Sequence, residues 1–599
     1  MRQVAKACFA FLLTVGLAFG QGSVGTRAST SKKTPSGPSV SSRLEQMEKA
    51  LQAQQQQISQ LQDQLKSRDS QVQQLQQQLT QTQSSVSQAE EAARAAAAKG
   101  VQPEQLDGMK RDLADLQNAA TNSALTLQET QKTIKDLESP LAIHFKGITI
   151  TPGGFLAAET VYRNRALGAD INTPLNGLNM PGSGLNAISE FYGSGRQSRI
   201  TLLGEGKLKD VKMSGYYEAD FLSAAVTSNN NQSNSYSLRQ RQLWGQAAFT
   251  NGWTITGGQM WSLVTETKKG VDNRSEALPM TIDPQYTVGF SWARQYGFRV
   301  SKNFNNHVWL AASLENPSTT FAARGNALNF ALGGAGNTGG LYNSLANYSF
   351  NATPDFIVKA AFEPGFGHYE IFGIFSRFRD RVYPCAEPPA DPALCNGGVA
   401  SAQGAFNSSK NGGGVGANAR FTFFKQVDFG IHGIMGNGVG RYGTSGLPDA
   451  TVNADGTLAL LRSYQGLGTL EWHKPRFDLY MNAGAEYVGR RSQTDPISLK
   501  EVGYGSPLFN TTGCFTETVP SSSGGNGFSF GGLANCNADT RVVIEGTFGF
   551  WIKVYNGPKG RLQFGPQYSY ITRNTWAGTG GDPHGIDNMA FTSFRYYLP

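Results

Sequence analysis

The sequence predicts an all-β transmembrane barrel of about sixteen antiparallel strands, preceded by an α-helical coiled coil. Composition is the first reason: the 599 residues include 71 Gly, 11% aromatic and only 16% charged residues, as in membrane barrels. Periodicity is the second: apolar residues recur every seven positions up to about residue 139 and every two positions afterwards. Helical membrane bundles are excluded, because no apolar run reaches the ~20 residues that a spanning helix requires.

The first residues are predicted to direct export. Residues 1–20 are organised as a signal peptide: Arg2 and Lys6 precede an apolar segment, and cleavage is expected near Gly20 or Gln21. Residues 21–43 are rich in Ser, Thr, Pro and Gly and are interpreted as a flexible linker. We therefore expect a protein of the bacterial cell envelope.

Residues 44–139 carry the heptad pattern of a periplasmic coiled coil. One seam, from Leu44 to Val86, is apolar at all seven of its positions. Gly100 interrupts the pattern, and Pro140 ends it because the residue before a proline is disfavoured in helical geometry. A coil cannot bury its seam alone, so we expect an oligomer, with dimer and trimer both left open. A low-complexity stalk is the alternative.

Residues 140–599 contain sixteen segments of alternating polarity, each long enough to cross a bilayer when tilted. They lie near 153–162, 198–208, 212–222, 237–250, 253–262, 294–303, 306–314, 355–363, 368–379, 414–425, 427–437, 461–472, 475–487, 541–554, 560–572 and 588–598. Short and long connections alternate between them, which predicts a closed up-and-down barrel with periplasmic turns and outer loops. The loops 315–354 and 488–540 are the longest and could change the constriction, and their role is left open.

Four cysteines remain after the signal peptide, in two local pairs within long loops. Cys385 pairs with Cys395 and Cys514 with Cys536 in this interpretation, since an oxidising compartment favours disulfides. A zinc site is the alternative, but no Cys-x-x-Cys spacing supports it.

Charged residues of two neighbouring strands are predicted to meet inside the barrel. Arg239 and Arg241 share one strand face, opposite Leu238 and Trp244, and Glu218 and Asp220 share a face of the preceding strand. A hairpin would bring acids and arginines together, either as a polarised wall that orients charged solutes or as a salt-bridge ladder that stiffens the barrel.

Two further groups of arginines are candidates for solute binding. Arg377, Arg379 and Arg381 alternate along one strand face and could form an anion ladder near the outer rim. Phe375 would share that face, so a solvated outer edge is an equal alternative. Arg199 opposes the apolar Ile200, which predicts that Arg199 faces the lumen. The barrel segment holds 37 basic and 31 acidic residues, a net charge of +6.

Nothing in the sequence favours catalysis, a metal, a cofactor or nucleic acid. The six His are scattered without metal-ligand spacing, and no nucleophile motif stands in a suitable context. Basic residues are distributed rather than clustered, which argues against nucleic-acid binding. We therefore predict that the protein is not an enzyme, with an outer-membrane lipase or protease as a minor alternative.

Several short motifs in order resemble the DcaP-like trimeric outer-membrane porins, most strongly over residues 140–300. They are Arg196-Gln-Ser-Arg199, Gly215-Tyr-Tyr-Glu-Ala-Asp220-Phe221, Leu238-Arg-Gln-Arg241, Trp244-Gly-Gln246 and Gly258-Gln-Met-Trp-Ser262. The resemblance implies a sixteen-stranded barrel, a homotrimer, an N-terminal coiled coil and diffusion of small anions such as dicarboxylates. It also implies that Arg199, Arg239 and Arg241 face the pore. Two features depart from the family: the loops 315–354 and 488–540 are long, and the chain ends in Leu598-Pro599 rather than Phe.

These observations together predict an outer-membrane channel for small, preferentially anionic solutes. A phosphate-selective porin is the nearest alternative. An envelope tether or adhesin, with the coil on peptidoglycan and the barrel as its anchor in outer-membrane lipid, is an alternative of another class. A receptor that uses the disulfide-bonded loops is a third.

Overall fold

The computed structural model describes residues 142–599 except 223–235, 326–328, 335–345, 387–394, 396–398, 497, 523–526 and 531, together with seven separate residues between 74 and 91. Those seven residues are helical and exposed. The predicted signal peptide 1–20, linker 21–43 and nearly all of the coiled coil 44–139 lie outside the described residues. Within the described part, no helix is both long and apolar enough to cross a membrane.

The described residues from 142 onwards form a closed barrel of sixteen antiparallel strands, as predicted. The strands are β1 (Ile148–Arg163), β2 (Arg199–Leu208), β3 (Val211–Asp220), β4 (Arg239–Phe249), β5 (Trp253–Trp261), β6 (Arg294–Phe304), β7 (Val308–Glu315), β8 (Asp355–Phe362), β9 (His368–Val382), β10 (Phe406–Phe423), β11 (Val427–Asn437), β12 (Arg462–His473), β13 (Phe477–Val488), β14 (Thr540–Gly557), β15 (Gly560–Thr575) and β16 (His584–Tyr597). Each overlaps its predicted segment. The ring closes because β1 pairs with β2 on one edge and with β16 on the other.

Smaller elements pair with β1 or lie in the loops. Ile143–Phe145 pairs with the start of β1, and Glu190–Ser194 pairs with its end, continuing the line of β2. The loops contain Thr319–Thr320, Phe330–Ala331, Gly333–Gly334, Ala346–Ser349, Ala450–Val452, Leu458–Leu460, Arg491–Thr494, Glu501–Tyr504, Ser521–Ser522 and Phe528–Ser529. Short 3-10 helices span Leu175–Gly177, Gly184–Ala187, Pro284–Tyr286, Gly440–Tyr442 and Thr512–Cys514.

The connections alternate as the sequence predicts. Turns of two to five residues join β2 to β3, β4 to β5 and every second pair after that, whereas the other connections are long. Both ends of the barrel segment therefore lie at the short-turn end. At the turn between β10 and β11, Phe424 and Lys425 both have positive φ, which matches the right-handed twist of a tight hairpin.

The outer and inner faces of the strands differ in chemistry, because successive side chains point to opposite faces. Exposed outward residues are mainly large and apolar, for example Leu202, Phe298, Ile371, Ile431 and Phe548. Exposed aromatic residues also lie beside the short turns, at Phe249, Trp253, Phe304, Phe362, Phe366, Phe423, Phe424, Trp472 and Tyr555. This apolar outside with an aromatic margin is typical of barrels that span a membrane.

Both predicted disulfides are formed. Cys385 is bonded to Cys395 in the connection between β9 and β10, and Cys514 is bonded to Cys536 in the connection between β13 and β14. Both connections are long loops, so the covalent links constrain loops and leave the barrel strands untouched.

Candidate functional site

The connection between β5 and β6, residues 262–293, crosses the interior of the barrel. We call it the crossing loop. The backbone N–H of Val288 donates to Glu545 at 2.8 Å, and that of Gly289 donates to Glu486 at 2.8 Å. Glu486 lies on β13 and Glu545 on β14, about half a ring away from β5 and β6. The crossing loop therefore reaches the opposite wall and narrows the lumen.

The first half of the crossing loop is fixed to a different part of the wall. Thr267 Oγ1 donates to Glu370 on β9 at 2.5 Å, and Lys359 on β8 donates to the carbonyl of Thr265 at 2.8 Å. Lys359 Nζ also forms an ion pair of 2.9 Å with Glu370. These contacts bury the loop's polar backbone groups against polar wall residues, which is the condition for placing irregular backbone inside a barrel.

Apolar side chains explain why this loop packs inward. Val264, Ile282 and Val288 are fully buried. On an outward loop they would lie in water, whereas inside they contribute to buried clusters. That the loops 315–354 and 488–540 could also change the constriction stays a prediction. The crossing loop was not singled out from the sequence, although its apolar residues were a usable signal. Described parts of those two long loops contact each other through an ion pair of 2.6 Å between Arg324 and Asp539, and Tyr504 and Ala322 pack in the same buried cluster as Ile282 of the crossing loop.

The wall formed by β2, β3 and β4 carries the predicted acids and arginines in one network. Asp220 accepts two hydrogen bonds from Arg239, of 2.9 and 2.7 Å. Arg241 pairs with Glu218, and its Nη1 donates to Asp220 at 2.7 Å. Arg199 Nη1 lies 3.3 Å from the same Glu218. The predicted meeting of acids and arginines inside the barrel is thus present.

One residue of this wall is placed differently from the prediction. Trp244 is buried and lies on the inner face, whereas the sequence analysis placed it opposite the arginines. The reason is a β-bulge: Glu218 pairs with Gln242 and Ala219 with Gln240, so Arg241 is an extra residue and the alternation shifts by one after it. Arg241 and Gln242 consequently both face inward, and Gln242 donates to Glu218 at 2.9 Å.

A fourth arginine joins the network from β6. Arg294 Nη2 donates to Gln285 of the crossing loop at 3.2 Å, and Arg241 donates to the same Gln285 oxygen at 3.0 Å. The guanidinium of Arg294 lies 5.0 Å from the centre of the Trp261 ring. Sequence reasoning did not find Arg294, since no local motif marks it and only the crossing loop brings it near β4. We refer to Arg199, Arg239, Arg241 and Arg294, with Glu218 and Asp220, as the arginine cluster.

The arginine cluster has more positive than negative groups, four guanidinium groups against two carboxylates. Glu218 and Asp220 are almost completely buried, whereas the side chains of Arg199 and Arg239 keep 16% and 11% of their surface exposed. Arg199 Nε and Arg294 Nη1 are buried donors without a hydrogen-bond partner among the described residues. Guanidinium donors of this kind are suited to carboxylate or phosphate oxygens.

The other predicted arginines do not line the lumen. On β9 the residues Glu370, Phe372, Ile374 and Ser376 are buried and inward, while Ile371 and Phe375 are exposed and outward. Arg377, Arg379 and Arg381 have the parity of Phe375, so they lie on the outer face at the loop end of β9. The outer-edge interpretation is the one the structure supports, and the inward anion ladder is absent from this strand.

Carboxyl groups of the crossing loop are held in an environment that disfavours their charge. Burial raises the pKa of Glu276 to about 7. Burial also raises the pKa of Glu266 to about 7, against the opposing effect of Arg420. Asp283 is affected in the same direction, with burial raising its pKa. The charge of the loop therefore changes between mildly acidic and mildly alkaline solution.

Comparison with known proteins gives similar folds and no close relative. No family model and no curated protein matches the chain. Among solved structures, the outer-membrane channel DcaP of Acinetobacter baumannii has 14% identity, covering 76% of this chain and 99% of its own, with a TM-score of 0.49. OmpF of Salmonella typhi has 10% identity over 76% of this chain and all of its own, with a TM-score of 0.39. An anion-selective porin from Comamonas acidovorans has 9% identity over 75% of this chain and all of its own, with a TM-score of 0.37.

Proposed function

We propose that the protein is an outer-membrane porin that lets small solutes diffuse passively and prefers anions of the dicarboxylate type. The observation that carries this proposal is the arginine cluster, in which four guanidinium groups face two carboxylates where the crossing loop narrows the barrel. The two acids orient the arginines without neutralising them. A net positive wall lowers the free energy of an anion beside it and raises that of a cation.

The wall offers more than one guanidinium group, as a solute with two negative ends requires. Arg199 and Arg294 approach from β2 and β6, and each keeps a buried donor without a partner among the described residues. Each guanidinium presents a planar pair of donors that matches a carboxylate. The side chains of Arg199 and Arg239 are partly exposed, so a solute can contact them without being enclosed and can leave again, which conduction requires.

Planar-bilayer recording in a KCl gradient tests the proposal. The wild-type channel is expected to show a reversal potential of the sign that indicates chloride preference. Arg199→Gln and Arg294→Gln should each lower the chloride-to-potassium permeability ratio about tenfold, since a unit charge about 6 Å from the path shifts the free energies of anion and cation by about 0.7 kcal/mol in opposite directions in water. A cation-selective wild type, or a folded protein without conductance, would contradict the proposal.

A phosphate-selective porin is the second candidate, because the same guanidinium forks accept phosphate oxygens. Succinate and inorganic phosphate can be compared as blockers of chloride current from the two sides of the bilayer. Stronger block by succinate supports the dicarboxylate preference, and stronger block by phosphate replaces it.

The proposal includes a homotrimer in the outer membrane, with the short turns at the periplasmic side. The apolar outer face supports the membrane location, and the family resemblance supports the trimer. Native gel electrophoresis of the full chain and of a variant lacking residues 44–139 tests the assembly. Loss of trimers on deletion would identify the coil segment as an assembly clamp, whereas intact trimers with lost peptidoglycan binding would favour the tether.

A further inference from the structure

A second group of ionisable side chains lies at the short-turn end, on β11 and β12. It consists of Asp428, Glu471 and His473, whose potential ligand atoms all lie within 4.8 Å of one another. Asp428 and Glu471 are cross-strand partners, and His473 follows two residues later on the same face of β12 as Glu471. The group is separate from the arginine cluster and independent of the proposed function.

The distances within the group differ from those of hydrogen-bonded ion pairs. His473 Nε2 lies 3.4 Å from Asp428 Oδ2 and 3.5 Å from Glu471 Oε2. Charge-assisted hydrogen bonds between nitrogen and carboxylate oxygen are shorter, about 2.7–2.9 Å. Ligand atoms that each lie about 2.1 Å from a tetrahedral zinc ion are about 3.4 Å apart. The two separations from His473 are therefore close to those of atoms that share a cation, and the carboxylate oxygens of Asp428 and Glu471 lie within 4.8 Å of each other.

The surroundings of the group also match a metal site. His473 Nδ1 lies 3.2 Å from Asp478 Oδ1, and Lys553 holds Asp478 through a contact of 2.7 Å. Thr422 donates to the other oxygen of Asp428 at 2.6 Å. A metal-binding histidine commonly donates its second ring N–H to a carboxylate, which fixes the tautomer and directs the free nitrogen at the metal.

A buried oxygen supplies an independent observation. Glu471 has a side chain only 3% exposed, and its Oε1 is buried without a hydrogen-bond donor among the described residues. Arg420 Nη1 lies 3.7 Å from the other oxygen and also pairs with Glu266, so it satisfies Glu471 only in part. Leaving a buried carboxylate oxygen without a donor is costly, and a cation that is bound by both oxygens of Glu471 would remove that cost. His473 and Asp428 are 37% and 25% exposed, which gives a cation a path from solvent.

We propose that Asp428, Glu471 and His473 bind a divalent transition-metal cation of the Zn²⁺ type at the short-turn rim of the barrel. One imidazole and two carboxylates form a donor set for zinc or cobalt rather than for calcium or magnesium, which take oxygen ligands. Asp478 is a positioning residue that acts through His473. The competing arrangement is a protonated His473, whose imidazolium pairs with the two carboxylates in place of the metal.

Titration of the purified full-length, tag-free protein in detergent with CoCl2 at pH 7.5 tests the proposal. The wild type is expected to develop the visible absorption of tetrahedral Co²⁺ at one ion per chain, and ZnCl2 should abolish it. His473→Gln and Asp428→Asn should lose the absorption. Asp478→Asn should weaken binding about 10- to 100-fold and shift the spectrum, as loss of an outer partner does.

His584→Gln is the matched control, since His584 is an exposed histidine at the start of β16. This variant should bind Co²⁺ as the wild type does. Heat-dependent gel mobility of each variant confirms that the barrel is folded. The proposal is overturned if folded wild type gives no tetrahedral absorption, or if His473→Gln binds Co²⁺ as tightly as His584→Gln.

Discussion

The two walls joined by the crossing loop use their charges in different ways. On the β2–β4 wall, Glu218 and Asp220 are bound by arginine side chains, and guanidinium donors remain. On the opposite wall, Glu486 and Glu545 accept backbone N–H groups of the crossing loop. The difference shows that the net charge of a lumen does not by itself decide selectivity. Carboxylates that accept backbone N–H groups anchor a loop, whereas the first wall keeps guanidinium donors for a solute.

An ion pair between β16 and β1, the strand next to β2, provides a further contrast. Arg595 donates to Glu159 through two nitrogens, at 2.9 and 2.6 Å, and also to the carbonyl of Ile282 in the crossing loop. Here one arginine, Arg595, donates to one carboxylate and to one backbone carbonyl oxygen. This ion pair is therefore structural, whereas the arginine cluster beside it combines structure with excess charge.

The largest effect is expected for Arg241→Met. Arg241 is fully buried and contacts Glu218, Asp220 and Gln285, so its removal leaves two buried acids with fewer partners. The free energy of unfolding should fall by about 3–5 kcal/mol, the cost of breaking a buried ion pair. Urea unfolding in detergent measures this loss. Arg199→Gln, at a more exposed position, serves as the comparison, and an equal loss in both variants would contradict the buried role of Arg241.

A smaller effect is expected when the anchor on the opposite wall is removed. Glu545→Met leaves the N–H of Val288 buried without its acceptor, at a cost of about 1–3 kcal/mol. The crossing loop should loosen, which raises single-channel conductance while the sign of the ion preference is kept. Glu545→Gln is the matched control because its amide oxygen can still accept. A reversal of selectivity in the Met variant would show that this wall, too, directs solutes.

A change of pH should alter the charge of the crossing loop, and with it the ion preference of the channel, without any mutation. Burial raises the pKa of Glu276 and of Glu266 to about 7, so both groups gain protons as the pH falls from 8 to 5.5. The crossing loop then loses negative charge while the arginines stay charged, and chloride preference should increase. Stability should change in the same direction: a carboxyl whose pKa is raised by folding favours the folded state below that pKa and loses this contribution as the pH rises through 7. Reversal potentials at the two pH values measure the first effect.

Glu276→Gln provides the control for the pH dependence. This variant removes one titrating group of the crossing loop, so the change in reversal potential between pH 8 and 5.5 should be smaller than in the wild type. An unchanged pH response would mean that Glu276 does not act on the permeation path.

Strand order, alternation of connections and the pairing of acids with arginines could be predicted because they follow from a period of two and from closure of the sheet. The inward direction of Arg199, Glu218 and Asp220 illustrates this prediction. The apolar or aromatic residues at alternate positions of the same strands, Ile200, Leu202 and Tyr217, point outward. The bulge at Arg241 could not be predicted, because one extra residue inverts the parity of Trp244 and leaves no trace in composition. Arg294 and the metal-binding group depend on contacts between residues distant in sequence, and local spacing contains no information about them.

The smallest effect is expected for Arg377→Gln, which tests directly whether the side chain of Arg377 lies on the outer face of β9. Arg377 shares the outward face of β9 with Phe375, so its charge is separated from the lumen by the sheet. Replacing it should leave the chloride-to-potassium permeability ratio unchanged, although the same chemical change at Arg294 should lower that ratio. Parallel bilayer recordings of the two variants make the comparison. A shift in Arg377→Gln as large as that in Arg294→Gln would place Arg377 on the inner face, and the arginine cluster would then no longer be the part of the wall that distinguishes anions from cations.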